Sequence, residues 1–306
     1  MDVVTGAFSF TGRAIAEELL ARGRSVRTLS RRPAEDDDPL GPQVEWAPLQ
    51  FSDPAALRER LRGADVLYTT YWVRFERDGS TFARAVENIR VLLAAAREAG
   101  VRRVVHVSVA NPSGSSPFAY YRGKALAERW VVESGLSSAI VRPTLVYGPS
   151  DILLNNIAWT LRRFPFFAVA GDGAYQVQLV SVGEVASLCV DAGAHDSCVT
   201  MDAAGPETYS YFELVGLIAV AVGRSARVVR LPGGVVLALA KVVGVIGRDV
   251  LVNGEELGAL RAELLVSHEP PTANGSFAKW LDESGAALGK RYASELGRNF
   301  RSYEPL

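Results

Sequence analysis

Apolar positions in the first half of the chain follow two alternating periods. Short β-branched runs at Val3-Val4 and at residues 25–29, 44–48, 65–69, 104–107 and 138–142 read as strands. Between them, apolar side chains recur every three or four residues. In 12–22 that face is Ile15, Leu19 and Leu20, with Gly23 placed as the C-cap, and 54–62, 79–99 and 118–134 read as helices in the same way. Apolar strands separated by crossover helices predict an α/β chain with a Rossmann-type doubly wound parallel sheet, covered on both faces.

After Tyr147-Gly148-Pro149 the rhythm changes. Helical patches at 152–163, 211–222, 235–246 and 254–265 stand between Pro- and Gly-marked loops, with short strands at 176–180 and 198–201. The expectation is a dinucleotide-binding domain over 1–150 and a smaller, mostly helical C-terminal substrate lobe over 151–306. The two short strands would return to the main sheet and interweave the two parts. Residues 231–247 are strongly apolar but shorter than the roughly 20 residues of a spanning helix, and Lys241 sits in their middle. They read as a buried or pocket-lining helix, with an interfacial anchor as the alternative. The N-terminal residues carry no signal or transit pattern, so a cytoplasmic location is expected.

Composition narrows the classes. There are 33 basic against 34 acidic side chains and no basic run longer than a pair, which gives no electrostatic footprint for nucleic acid. Two cysteines, Cys189 and Cys198, and three scattered histidines make neither a disulfide framework nor a metal site.

Three places carry candidate chemistry. Thr5-Gly6-Ala7-Phe8-Ser9-Phe10-Thr11-Gly12 joins the first strand to the first helix, where a tight turn aims helix N-terminal N–H groups at a pyrophosphate. Ser9 stands where a third glycine is expected, so its side chain must turn away from the phosphates or bond to one. Thr70, after the fourth strand, joins the same cofactor set. The second strand ends in Ser30-Arg31-Arg32-Pro33 with no carboxylate before Glu35, and arginines there suit the 2'-phosphate of NADP better than NAD. The acidic run Glu35 to Asp38 could instead neutralise them. Asp53 fits the adenine amino group or, equally, the N-cap of the helix from Pro54. Tyr120 and Lys124, one of only four lysines, are spaced i, i+4 on one helix face, so the ammonium can stabilise a phenolate. Ser108 closes the fifth strand, where ligands meet an open sheet.

Gly6-x-x-Ser9-x-x-Gly12, Ser108, Tyr120-x-x-x-Lys124 and Arg142-Pro143-x-x-x-Tyr147-Gly148-Pro149 occur in this order. Together they resemble the short-chain dehydrogenase/reductase superfamily, in its extended and atypical branches: the NAD-dependent epimerase/dehydratase and NmrA-like group. Gly171-Asp172-Gly173 with the segments after it is similar to the set that includes the complex I accessory subunit of this fold. The resemblance implies Tyr120 as general acid/base, Lys124 as the ribose ligand that lowers the Tyr120 pKa, and Ser108 as the group orienting the substrate oxygen. It also implies a supporting Asn88, with Pro143 and Val146 against the nicotinamide.

The expected function is hydride transfer between NADP and a carbonyl or secondary alcohol of a largely apolar or aromatic small molecule. Its pocket wall would comprise Tyr71, Trp72, Phe75, Asn111, Tyr147, Asn155, Asn156 and Trp159, although these aromatics equally suit core or a homodimer surface. An epimerase or dehydratase with bound NAD(P) and a non-catalytic NADP(H) sensor or assembly protein remain as alternatives. The former is disfavoured by the lack of a carboxylate in 113–119.

Overall fold

The computed structural model describes residues 1–225, 227–247 and 249–299. The chain opens with β1 (Asp2–Thr5), α1 (Phe10–Ala21), β2 (Val26–Ser30), β3 (Val44–Pro48), α2 (Pro54–Leu61) and β4 (Val66–Thr69). It continues through α3 (Phe82–Glu98), β5 (Arg103–Val107), α4 (Ala119–Glu133) and β6 (Ser137–Pro143). Next come β7 (Leu145–Tyr147), α5 (Ile152–Arg163), β8 (Phe166–Ala170), β9 (Gln176–Ser181), α6 (Val182–Ala194) and β10 (Val199–Ala203). The described chain ends with β11 (Thr208–Ser210), α7 (Tyr211–Ala221), β12 (Arg227–Leu231), α8 (Gly233–Gly247), α9 (Gly254–Arg261), α10 (Phe277–Ser284) and α11 (Glu295–Asn299).

Seven parallel strands form the main sheet in the order β10-β6-β5-β4-β1-β2-β3. On one face Val3, Leu67, Val104 and Ile140 pack beneath Leu57 and Leu61 of α2, Ile89 and Leu92 of α3, and Ala127 and Val131 of α4. Tyr68 alternates with Leu67 and so points the other way, toward α6. There Gly193 makes room for its hydroxyl, since a Cβ at that position would lie 2.1 Å from the oxygen. The strand order reverses between β1 and β4, and the carboxyl ends of strands at such a switch point are where α/β sheets take ligands.

The chain divides into two units, Met1–Pro143 with Val182–Ala203, and Thr144–Ser181 with the described residues from Ala204 on. The boundary lies at Pro143, ahead of the expected 150, and α6 belongs with the sheet. β10 pairs with β6 in the main sheet. β9 does not, which corrects the expectation for 176–180: it pairs with β7 and β11. The reason is its buried face, since Val177 and Leu179 fill the second unit's own core with Tyr147, Leu154, Ile157, Leu214 and Ile218. The second unit is also less helical than its periodicity suggests, because β8 and β12 add a parallel pair.

Candidate active site

Ser9 solves its own steric problem. It precedes α1 in extended backbone and gives the helix no side-chain cap; its Oγ instead donates to the Gly6 carbonyl at 2.6 Å. The first-turn N–H groups of α1 thereby have no side-chain cap from Ser9, as an incoming phosphate requires. Gly6 adopts φ +70°, and Gly12 packs so closely that a Cβ would meet the Gly6 oxygen at 2.2 Å. Phe8, Phe10 and Thr11 line the same turn, half-buried. Thr70 braces it from β4: its Oγ1 donates to the Thr5 carbonyl at 2.6 Å and its N–H to Thr5 Oγ1 at 2.8 Å.

At the end of β2, Arg31 and Arg32 are exposed. Of the acidic run, Asp38 is held by Arg13, whose guanidinium keeps the carboxyl below the usual carboxylate range. Asp53 caps α2, accepting from the Ala56 N–H at 3.0 Å, so the N-cap role is the one the hydrogen bond displays.

Tyr120 and Lys124 converge on one tryptophan. The Trp72 ring meets Tyr120 edge-on with centroids 6.0 Å apart, and the Lys124 ammonium lies 4.7 Å from the Trp72 centroid. Gly123 admits that indole: a Cβ would come within 3.1 Å of it. Phe82 completes the aromatic wall, stacked on Trp72 at 6.2 Å and edge-on to Tyr120 at 5.8 Å. Lys124 is buried and donates to the Val107 carbonyl at 3.0 Å. Burial brings its pKa down to about 7, against the opposing pull of Glu128. Ser108 follows directly on that carbonyl. Its N–H donates to Val141 and the Ala110 N–H to Pro143, so β6 fixes this loop. The Ser108 Oγ is buried with no hydrogen-bond partner among the described residues, as is the Trp72 Nε1. His106, in the strand behind, is fully buried; desolvation and then the Lys124 charge push its pKa well down, so the ring is neutral. Tyr121 is buried, and its hydroxyl pKa is raised by desolvation.

Residues 6–151 match the protein family described as NAD(P)H-binding. Over this stretch the chain is similar to that NAD(P)H-binding family. Its seven-stranded sheet has a Rossmann-like α/β fold. Over 284 residues the chain is 26% identical to "NADH dehydrogenase [ubiquinone] 1 alpha subcomplex subunit 9, mitochondrial" of Arabidopsis thaliana, covering 86% of this chain and 70% of that protein. It is 33% identical over 210 residues to the "4-hydroxy-2-methyl-3-oxo-4-farnesyl-3,4-dihydroquinoline-1-oxide ketoreductase" of Stigmatella aurantiaca, covering 61% of each chain. Among solved structures, the NADPH-dependent quinone oxidoreductase of Escherichia coli, complexed with NADPH, superposes with TM-score 0.74 at 19% identity, covering 92% of this chain and 99% of that one.

Within the first unit, Tyr71 accepts from Asn88 Nδ2 at 2.8 Å and packs on Phe51, which gives Asn88 a defined role as its anchor. Phe75 is buried, and Asn111 occupies the left-handed region at φ 54° just past Ser108. In the second unit, Tyr147 is core, packed on Phe277 and Trp280. Val146 pairs with Val180. Asn155 donates to the Pro149 and Asp151 carbonyls and accepts from the Gly289 N–H. Asn156 exchanges both amide groups with the Ala293 backbone, and Trp159 packs against Phe164 and Tyr292. Sequence reasoning missed Glu128, which takes Arg142 in a two-pronged pair at 2.9 and 2.5 Å and locks β6 to α4 one turn beyond Lys124. The i, i+4 spacing from Lys124 was the available signal.

Proposed function

We propose that the chain is an NADP-dependent oxidoreductase that moves hydride between nicotinamide and a carbonyl or secondary alcohol carbon of a largely apolar small molecule. The observation that carries this reading is the contact of Tyr120 and Lys124 with the single indole of Trp72, beside an unpartnered Ser108 hydroxyl at the carboxyl end of β5. A carbonyl oxygen held by Ser108 would sit where Tyr120 can supply the proton. The ammonium of Lys124 stabilises the phenolate left behind. The nicotinamide, when bound, supplies the hydride in reduction and accepts it in oxidation.

For the cofactor, the uncapped first turn of α1, with Gly6, Phe8, Ser9, Phe10, Thr11 and Gly12, is assigned the pyrophosphate. Arg31 and Arg32 are assigned the 2'-phosphate, and Thr70 and Pro143 the rest of the cofactor wall, while Val146 belongs to the second unit. Asp53 remains an adenine partner only through lone pairs its capping bond does not use. For the substrate, Tyr71, Trp72 and Phe75 offer an aromatic wall and Asn111 a polar group. In the second unit, Tyr147 is held in the core, Trp159 packs against Phe164 and Tyr292, and Asn155 and Asn156 spend their amides on backbone, so these four serve that unit's shape. The NADPH bound by the quinone oxidoreductase and the farnesyl group in the ketoreductase's name support this choice of cofactor and substrate class.

The test is a screen of ketones, enones and quinones bearing isoprenoid or aromatic groups, following NADPH oxidation and product together. Stoichiometric consumption supports the reductase. Conversion without net NADPH loss points to the epimerase class. NADPH binding with no turnover of any carbonyl compound sinks the reading in favour of a nucleotide-binding assembly protein.

A further inference from the structure

The apolar stretch singled out in the sequence forms α8, and none of its side chains from Val235 to Val243 is fully buried. Val235, Leu239 and Val242 are exposed by 44%, 40% and 57%, and their i, i+4, i+7 spacing puts them on one face of the helix. α8 packs on β8 and follows β12 directly. In that strand pair Phe167 and Val228 pack onto the second unit's core. The register therefore turns Phe166, Ala168, Arg227 and Val229 away from it, and both Phe166 and Val229 are exposed.

Charge decides what can cover this surface. From residue 214 to 247 the chain contains no Asp or Glu, but it contains Arg224, Arg227, Arg230 and Lys241. Among the described residues none of these four forms a salt bridge. The acidic residues that bracket the stretch are engaged: Glu213 closes the capping box of α7, and Asp249 accepts from Tyr292 and from the Glu295 and Leu296 N–H groups. A second copy of the same patch would bring cations against cations, whereas an anionic bilayer supplies the opposite sign. The helix cannot span: at 15 residues it is about 22 Å long against a hydrocarbon core of roughly 30 Å. Among the described residues no helix is long and apolar enough to cross a membrane. Lys241 lies to one side of the exposed stripe, where a long stem can leave its ammonium among lipid headgroups.

We infer that α8, with the outer face of β8 and β12, is an interfacial docking surface for an anionic lipid bilayer. The helix lies in the headgroup plane, its valines and leucine enter the acyl boundary, and Arg227 and Lys241 meet lipid phosphates, whereas Arg230 lies on the other face of β12 over the Phe212 ring. This goes beyond the proposed reaction and does not depend on it.

The test is flotation of the full chain with vesicles of phosphatidylcholine alone and of phosphatidylcholine containing about one-third phosphatidylglycerol, at low and high salt. The protein should float with the anionic vesicles and not with the neutral ones, and raising salt from roughly 0.05 to 0.5 M should release most of it. Leu239→Glu combined with Val242→Glu should weaken flotation at least about tenfold, because two carboxylates enter the acyl boundary. Circular dichroism checks that this variant is folded. Should it unfold, Arg227→Glu with Lys241→Glu changes exposed charges only and should likewise lower flotation on anionic vesicles. Equal flotation on both compositions, or variants that float like wild type, overturns the inference. So does light scattering that finds a wild-type dimer and a monomeric variant with no flotation by either, which would make the patch a self-association face.

Discussion

Lys124 is the residue on which the chemistry and the stability of the site meet. Its ammonium has one hydrogen bond, to the Val107 carbonyl, and one aromatic face, so burial outweighs these and brings its pKa to about 7 from an ordinary 10.5. Between those values the unfolded chain binds more protons at this side chain than the folded one, and stability must rise with pH across the window. A Lys124→Met variant removes this contribution. The difference in unfolding free energy, wild type minus variant, should increase by about 1.4 kcal/mol per pH unit between pH 7.5 and pH 9.5 in urea titrations; a flat difference means the ammonium is not desolvated. The Tyr-x-x-x-Lys spacing was legible in the sequence because one helical turn fixes it. The indole was not, because Trp72 lies 52 residues away from Lys124 and only the pairing of β4 with β5 brings it under α4.

At the scale of elements, one buried side chain ties the sheet to α6. Arg103 opens β5 fully buried and donates to the Ala192 and Ser197 carbonyls at 2.7 and 2.8 Å and to Ser137 Oγ at 2.5 Å. Its guanidinium thus answers the Ala192 carbonyl in the last turn of α6, where helix carbonyls lack a partner within the helix, and the Ser197 carbonyl in the loop beyond it. Arg103→Met keeps the stem and removes the donors, and should cost about 2–4 kcal/mol in urea unfolding, with NADPH affinity unchanged once folded. A loss below about 0.5 kcal/mol would mean that solvent satisfies those carbonyls. Periodicity disclosed the strands and helices of the first half because each crossover helix buries one clear apolar stripe. It did not disclose β8 and β12, short strands whose partners lie some 60 residues apart, nor which sheet takes β9, because a two-residue period gives a strand without naming its neighbour.

For the whole molecule, cofactor preference is the property that the end of β2 should control. Arg31 and Arg32 stand exposed there and are the cations that the proposal assigns to a 2'-phosphate. Arg31→Ser combined with Arg32→Ser should weaken NADPH binding roughly ten- to a hundredfold, the worth of one or two charge-assisted hydrogen bonds, and change NADH affinity by less than about threefold. Equal losses for both nucleotides, measured by fluorescence titration, would place the 2'-phosphate elsewhere. What the sequence could not convey at this scale is substrate choice, since Tyr147, Asn155 and Asn156 look like pocket residues in a string of letters and prove to be tied into the second unit's own packing. The most direct measurement of the central claim is a comparison of wild type with Tyr120→Phe on any carbonyl substrate the screen identifies, recording kcat and the NADPH dissociation constant together. The account predicts that kcat falls about 10²–10⁴-fold while NADPH affinity stays within about threefold; undiminished turnover by the phenylalanine variant would contradict it.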